Sequence, residues 1–139
     1  MKTTRLRTHS LVSALLIFML TSMSVRAQDA DDFLAQLHSF RVSNYISLDA
    51  YYRFIGSGTT TTLNEIVAGI NTANDAMNLL AKSTSGVLTA EQIETLNGEF
   101  DKFKALMRDN INDVRNTGYP DLRLVSDMAN QALTMNDSA

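Results

Sequence analysis

The stretch 63–80, LNEIVAGINTANDAMNLL, has the most regular hydrophobic pattern in the chain. Its apolar residues alternate in spacings of three and four, which places them on one face of an α-helix. The pattern predicts a helix over 63–81 that packs this face against other helices. Thr62 and Glu65 have the spacing of a capping box at its start. The predicted face consists of Leu63, Ile66, Ile70, Ala73, Met77 and Leu80.

The same periodicity predicts three more helices, over 32–55, 90–115 and 121–133. Thr89 and Gln92 form a second capping-box pattern, and Gly118 is placed to end the third helix. No run of residues alternates as a half-buried strand does. The apolar stripe of helix one is predicted as Leu34, Leu37, Tyr45, Leu48, Tyr52 and Ile55, with Arg41 in the remaining place and with Phe33, Phe40 and Tyr51 widening it.

Short connections between these helices favour antiparallel neighbours. We therefore predict an all-α fold, an antiparallel up-down-up-down four-helix bundle formed by residues 28–133. Residues 134–139 are expected to form a flexible C-terminal tail. The alternative is a pair of helical hairpins, one from each of two chains, that bury the same stripes in a homodimer.

Residues 1–27 have the organisation of a secretory signal peptide. Basic residues precede the apolar run 11–20, and small residues lead to Ala27, after which we expect cleavage. The run is too short to span a bilayer, so the alternative of a retained anchor is disfavoured, and no stable membrane anchor is expected after cleavage. The sequence thus predicts a periplasmic or secreted protein.

Charge and composition narrow the classes of function. The full chain carries a net charge of −3, but the signal contains four basic and no acidic residues, which leaves −7 on the exported part. This charge argues against nucleic-acid binding. The chain has no Cys, which excludes disulfides, thiolate metal sites and Cys nucleophiles. With no nucleophile elbow and no phosphate-binding loop, the sequence favours a protein that is not an enzyme.

Helix one holds the best candidates for a ligand-binding site. Arg41 lies among Tyr45 and Tyr52, with His38 one turn away, and such a set could bind a small anion or an aromatic ligand between helices. The simpler interpretation is that the stem of Arg41 lies along the edge of the bundle, and that the tyrosine rings pack toward the core while their hydroxyls reach water.

Metal and cofactor sites have less support, and we predict neither. His38 with a methionine could hold a haem, but this His lies beside the predicted stripe. Asp109 and Asp113 belong to a cluster of acids and amides that could bind a cation, although the spacing is not that of an EF-hand. Because these two acids repel each other, we expect one of them to pair with Arg123.

The sequence therefore predicts an exported, non-enzymatic helical protein that binds a partner protein or a small ligand. A periplasmic cofactor or metal carrier is the alternative. An enzyme that uses only carboxylate and tyrosine chemistry is a third interpretation.

Overall fold

The computed structural model is all-α, with four helices that pack on one another. It describes residues 5–83 and 85–138, and side chains within 27–83, 85–135 and at 137. The helices are α1 (Arg5–Ser57), α2 (Thr60–Lys82), α3 (Ala90–Thr117) and α4 (Leu122–Ser138). Among the described residues, no helix combines the length and the apolar character needed to cross a membrane.

Helices α1 and α2 share the most extensive contact, and small residues bring them close together. Ser43 and Ser47 of α1 are buried against Gly69 of α2, whose missing side chain leaves room for them. Ala50 and Ala73 are also fully buried. Close approach of two helices maximises dispersion contacts between their backbones. The two helices therefore form one closely packed unit.

Helix α3 connects the rest of the core. Its Phe100 ring meets the Phe40 ring of α1 edge-on, with 5.1 Å between ring centres. On its other side, the buried side-chain amide of Asn110 donates a hydrogen bond to the carbonyl oxygen of Leu124 in α4, at 3.1 Å. Gln131 of α4 donates to the backbone oxygen of Glu99, at 3.0 Å. These bonds fix α4 along α3.

Most helix ends agree with the sequence. The predicted capping box of α3 is confirmed, since Thr89 and Gln92 exchange hydrogen bonds of 3.2 and 2.8 Å. Gly118 ends α3 in the left-handed conformation (φ 80°), which glycine adopts without strain. The predicted capping box of Thr62 and Glu65 is wrong. Helix α2 begins at Thr60, and the Thr62 hydroxyl donates to the carbonyl oxygen of Thr59 at 2.7 Å.

The predicted face of α2 is confirmed, but the face of α1 is wrong by about one residue. Leu34 and Tyr45 are more than half exposed, and Tyr52 is 41% exposed. The core instead receives a neighbouring series with the same alternating spacing: Phe33, Leu37, Phe40, Asn44, Ser47, Tyr51 and Phe54. Asn44 and Ser47 are polar, so the hydrophobic pattern of the sequence did not identify this series as the buried face.

The ends of the first and last helices differ from expectation, since α1 begins at Arg5 and not at residue 32. Helix α4 continues past Leu133, the expected end, and Met135 beyond it is fully buried in the core. Leu122, the first residue of α4, is exposed. The signal-peptide prediction concerns side chains of residues 1–26, which lie outside the described side chains, so it stays a prediction.

Candidate functional site

An apolar groove lies between the first half of α2 and the second half of α3. It has a volume of about 250 Å³, and no carboxylate lines it. Ile66 and Met107 at its floor are core residues, whereas Val67 beside them is 57% exposed. We call this surface the α2–α3 groove, and its lining is Ile66, Val67, Ile70, Asn71, Lys104, Met107, Arg108, Ile111 and Asn112.

Two cations stand on the rim of the α2–α3 groove. The Lys104 ammonium lies 2.7 Å from the Asp101 carboxylate and donates a hydrogen bond to the Asn74 amide oxygen at 3.1 Å. It also lies 4.4 Å from the centre of the Phe100 ring, which holds its stem against the core. Arg108, one helical turn further along α3, contacts Asp109 at 3.1 Å. The groove thus presents an apolar floor with a cationic edge.

Two larger hollows have a different character. One, of about 510 Å³, lies where α1 meets the end of α2 and is lined by Asp29, Asp32 and Lys82 among others. The other, of about 490 Å³, lies beside the connection from α2 to α3 and includes Ser83 and Gly86. Both are open and mix charged or polar groups with apolar ones. The α2–α3 groove is therefore the more selective surface for apolar side chains.

The candidates on helix one are brought together, but they do not lie between helices. Arg41, Tyr45, Tyr52 and His38 all lie on the exposed side of α1. The Tyr52 ring packs edge-on against the buried Tyr51 ring, with 5.6 Å between centres. The prediction that these residues bind a ligand remains untested, and its location moves from the bundle interior to the surface.

The two acids of the candidate cation site have separate roles. Asp109 contacts Arg108, and the Asp113 carboxylate accepts a hydrogen bond from the backbone N–H of Asp121 at 3.1 Å. The expected pairing with Arg123 is wrong, because Arg123 approaches Asp121 instead, at 3.9 Å. Asp113 thus supports the turn that leads into α4. Within the described residues, no group of three or more acids and histidines is placed to hold a metal ion.

Sequence reasoning missed a set of buried polar groups in the core. Neither amide atom of Asn44 has a hydrogen-bond partner among the described residues, and the same holds for the Tyr51 hydroxyl and the Asn110 side-chain oxygen. Burial, with smaller effects from Tyr52 and Asp113, raises the pKa of Tyr51 to about 12. One signal was available in the sequence. Leu37, Asn44 and Tyr51 are spaced by seven residues, which places them on the same face of a helix.

Comparison with known proteins finds no family model, no curated protein and no solved structure that matches this chain.

Proposed function

We propose that this protein is an exported, non-enzymatic, antiparallel up-down-up-down four-helix bundle whose function is to bind a partner protein. The observation that carries this proposal is the α2–α3 groove. Apolar surface that stays open to solvent costs free energy, and a contiguous apolar patch with a polar rim is typical of an interaction site.

The shape of the groove favours a protein partner over a small ligand. Small-molecule sites are enclosed and bury most of the ligand, with volumes of about 300 Å³ or more. The α2–α3 groove is smaller and lies open along two helices. Such a surface fits the side chains of an amphipathic helix, which present apolar groups at spacings of three and four residues.

The charge on the rim indicates what such a helix carries. Lys104 and Arg108 are four residues apart, so they stand one turn apart on the same side of α3. Carboxylates with the same spacing on a partner helix would meet both cations. Asp101 and Asp109 already contact these cations, so the carboxylates of a partner would share or replace those exposed pairs, which contribute little to stability. We therefore propose an amphipathic helix with an acidic flank as the occupant.

Site-specific photo-cross-linking in the native cell tests this proposal. A photoreactive side chain at Val67, inside the groove, should give one discrete adduct with another protein. The same side chain at Leu79, which is exposed on the same helix outside the groove, should not. Equal adducts at both positions, or no adduct at Val67, would contradict the proposal.

A charge reversal tests the nature of the partner. Arg108→Glu should weaken the Val67 adduct, because it places a carboxylate on the rim. Arg115→Glu changes the net charge equally, from an exposed position on the same helix outside the groove, and should leave the adduct unchanged. Equal effects of the two substitutions would mean that net charge, and not the groove, controls binding.

The export part of the proposal has its own test. If the signal is cleaved after Ala27, mass spectrometry of the protein recovered from outside the cytoplasm should show a chain that begins at Gln28. Recovery of the intact chain in the membrane fraction would support the retained anchor instead.

A further inference from the structure

Helix α1 is apolar on two sides, and the other helices cover one of them. The buried side carries the series from Phe33 to Phe54. The exposed side carries Leu34, Tyr45 and Tyr52, which are 53%, 56% and 41% exposed. Val42 and Ile46 are also exposed and widen this surface. We call it the outer face of α1, and it consists of Leu34, His38, Arg41, Val42, Tyr45, Ile46 and Tyr52.

The outer face has the repeat of a helix–helix interface. Leu34, Arg41, Tyr45 and Tyr52 follow in steps of seven, four and seven residues, with His38 and the half-buried Leu48 filling the two longer steps. A seam of this spacing packs along a second helix by inserting its side chains between those of the partner. A helix that is apolar on both sides is normally covered on both. The outer face therefore lacks a partner helix in the single chain.

We propose that the outer face of α1 binds the same face of a second copy of this chain, with the two α1 helices antiparallel. A two-fold axis near position 43 brings Arg41 of each copy opposite Tyr45 of the other. The same axis brings Leu34 opposite Tyr52 and His38 opposite Leu48. Every polar or cationic residue of the seam then faces an aromatic or aliphatic one, so the face is complementary to itself.

The charges on this surface favour self-association. A guanidinium beside a tyrosine ring is attracted by the negative face of the ring, and the two-fold axis makes this contact twice. Two acids lie near this face: Asp49 is bonded to Arg53 at 3.0 Å, and exposed Asp31 lies three residues before Leu34. The two-fold axis places Asp31 opposite position 55 of the other copy, so the two copies do not bring these carboxylates together.

The extent of the surface sets the strength of the dimer. From Leu34 to Tyr52 the helix is about 27 Å long. The six side chains of the seam from Leu34 to Tyr52 each offer about 100 Å² to a partner, so two copies bury about 1,200 Å² in total. This lies at the lower end of the range for specific complexes. We therefore expect a reversible dimer whose population depends on protein concentration.

Cysteine cross-linking tests the arrangement, and the absence of natural Cys makes each introduced thiol unique. A mixture of Leu34→Cys and Tyr52→Cys chains should be joined by a short bifunctional thiol reagent. Each variant alone should give little product, because the antiparallel arrangement places identical residues far apart. Efficient product from Leu34→Cys alone would overturn the antiparallel dimer. Val87→Cys, exposed in the connection after α2, is the control for random collision.

Sedimentation measurements test the energetics. Tyr45→Arg places a cation opposite Arg41 of the other copy and should weaken the dimer by about tenfold or more. Tyr119→Arg makes the same chemical change at a residue that is 78% exposed outside this face, and it should have no effect. Adding Arg41→Glu to Tyr45→Arg restores an attractive pair and should recover part of the affinity. Helical circular dichroism of each variant verifies that the fold is intact.

The contrary results are equally specific. A purified chain that stays monomeric at all accessible concentrations would overturn the proposal, as would a dimer that Tyr45→Arg and Tyr119→Arg weaken equally. Binding of the monomer to anionic lipid vesicles, lost in Tyr45→Arg, would assign the outer face to a membrane surface and would also overturn it. The outer face and the α2–α3 groove are built from different helices, so either proposal can fail without the other.

Discussion

A methyl group on Gly69 of α2 would overlap the hydroxyl oxygen of Ser47 on α1. The same methyl group would lie 3.0 Å from the Ser43 carbonyl oxygen and 3.3 Å from the Ser47 nitrogen. Gly69→Ala therefore forces the two helices apart where they pack most closely. We expect it to lower the free energy of unfolding by about 1–3 kcal/mol, measured by urea denaturation. Ser47→Ala in the same chain should recover part of this loss.

Gly98 provides the matched control for Gly69. Both glycines lie inside helices, but a methyl group on Gly98 meets no atom within 4 Å. Gly98→Ala should therefore raise the free energy of unfolding, by up to about 1 kcal/mol, because alanine favours the helix. If both substitutions stabilise the protein, the close contact at Ser47 does not limit the packing of α1 and α2.

Two buried asparagines in different surroundings give a second prediction. Asn110 donates hydrogen bonds to the carbonyl oxygens of Leu106 and Leu124, at 2.9 and 3.1 Å. Asn44 has no hydrogen-bond partner among the described residues. Asn110→Leu should lower the free energy of unfolding by about 1–3 kcal/mol, whereas Asn44→Leu should leave it unchanged or raise it.

Urea denaturation of both variants measures this difference. The two substitutions are identical, and both sites are buried, so changes in side-chain volume and helix propensity largely cancel in the comparison. An Asn44→Leu variant that loses as much stability as Asn110→Leu would show that the Asn44 amide forms hydrogen bonds in solution.

The four helices could be predicted from the sequence because their apolar residues keep helical spacing along each segment. The face of α1 could not. Both sides of this helix have the spacing of a buried face. The side with Leu34 and Tyr52 is apolar, yet it stays exposed in the single chain. The buried side includes Asn44 and Ser47. The burial of Ser47 depends on the room left by Gly69 on another helix, which no local pattern reveals.

The α2–α3 groove was missed for a related reason. Val67 and Ile111 lie beside the apolar stripes of their helices, and the sequence shows this. Whether such flanking residues are covered depends on how far apart α2 and α3 lie, and that distance is set by the whole core. The ion pairs of α3 depend on local spacing alone. Asp101 with Lys104, and Glu99 with Lys102, lie three residues apart in the sequence, and each pair is 2.7 Å apart in the structure.

Glu99 makes the contact between α3 and α4 sensitive to acid. Its carboxylate accepts hydrogen bonds from Lys102, at 2.7 Å, and from Gln131 of α4, and these bonds lower the pKa of Glu99. A carboxyl group whose pKa is lower in the folded chain stabilises the fold above its unfolded pKa of about 4.3. This contribution is lost as the pH falls from that value through the folded pKa.

Denaturation at pH 3 to 7 measures this contribution. Glu99→Gln should flatten the loss of stability below about pH 4 relative to the unmodified chain, since the amide that replaces the carboxylate does not titrate in this range. Glu94→Gln removes the same charge from an exposed position on the same helix and serves as the control. If the two variants follow the same pH dependence, the bonds of Glu99 do not persist in solution.

Tyr51 makes the core sensitive to alkali. Its hydroxyl is buried without a hydrogen-bond partner among the described residues, and burial is the main cause that raises the pKa of Tyr51 to about 12. The unfolded chain loses this proton near pH 10, before the folded chain does. The contribution of Tyr51 to stability is therefore constant below about pH 10 and declines as the pH rises through 12.

Tyr51→Phe should remove this decline, and at pH 7 it should leave the protein equally stable or more stable, because no hydrogen bond is lost. Urea denaturation from about pH 7 to pH 11.5 measures both effects, with Tyr119→Phe as the exposed control. A Tyr51→Phe variant that is less stable at pH 7 and keeps the alkaline decline would show that the hydroxyl is bonded in solution and reaches solvent.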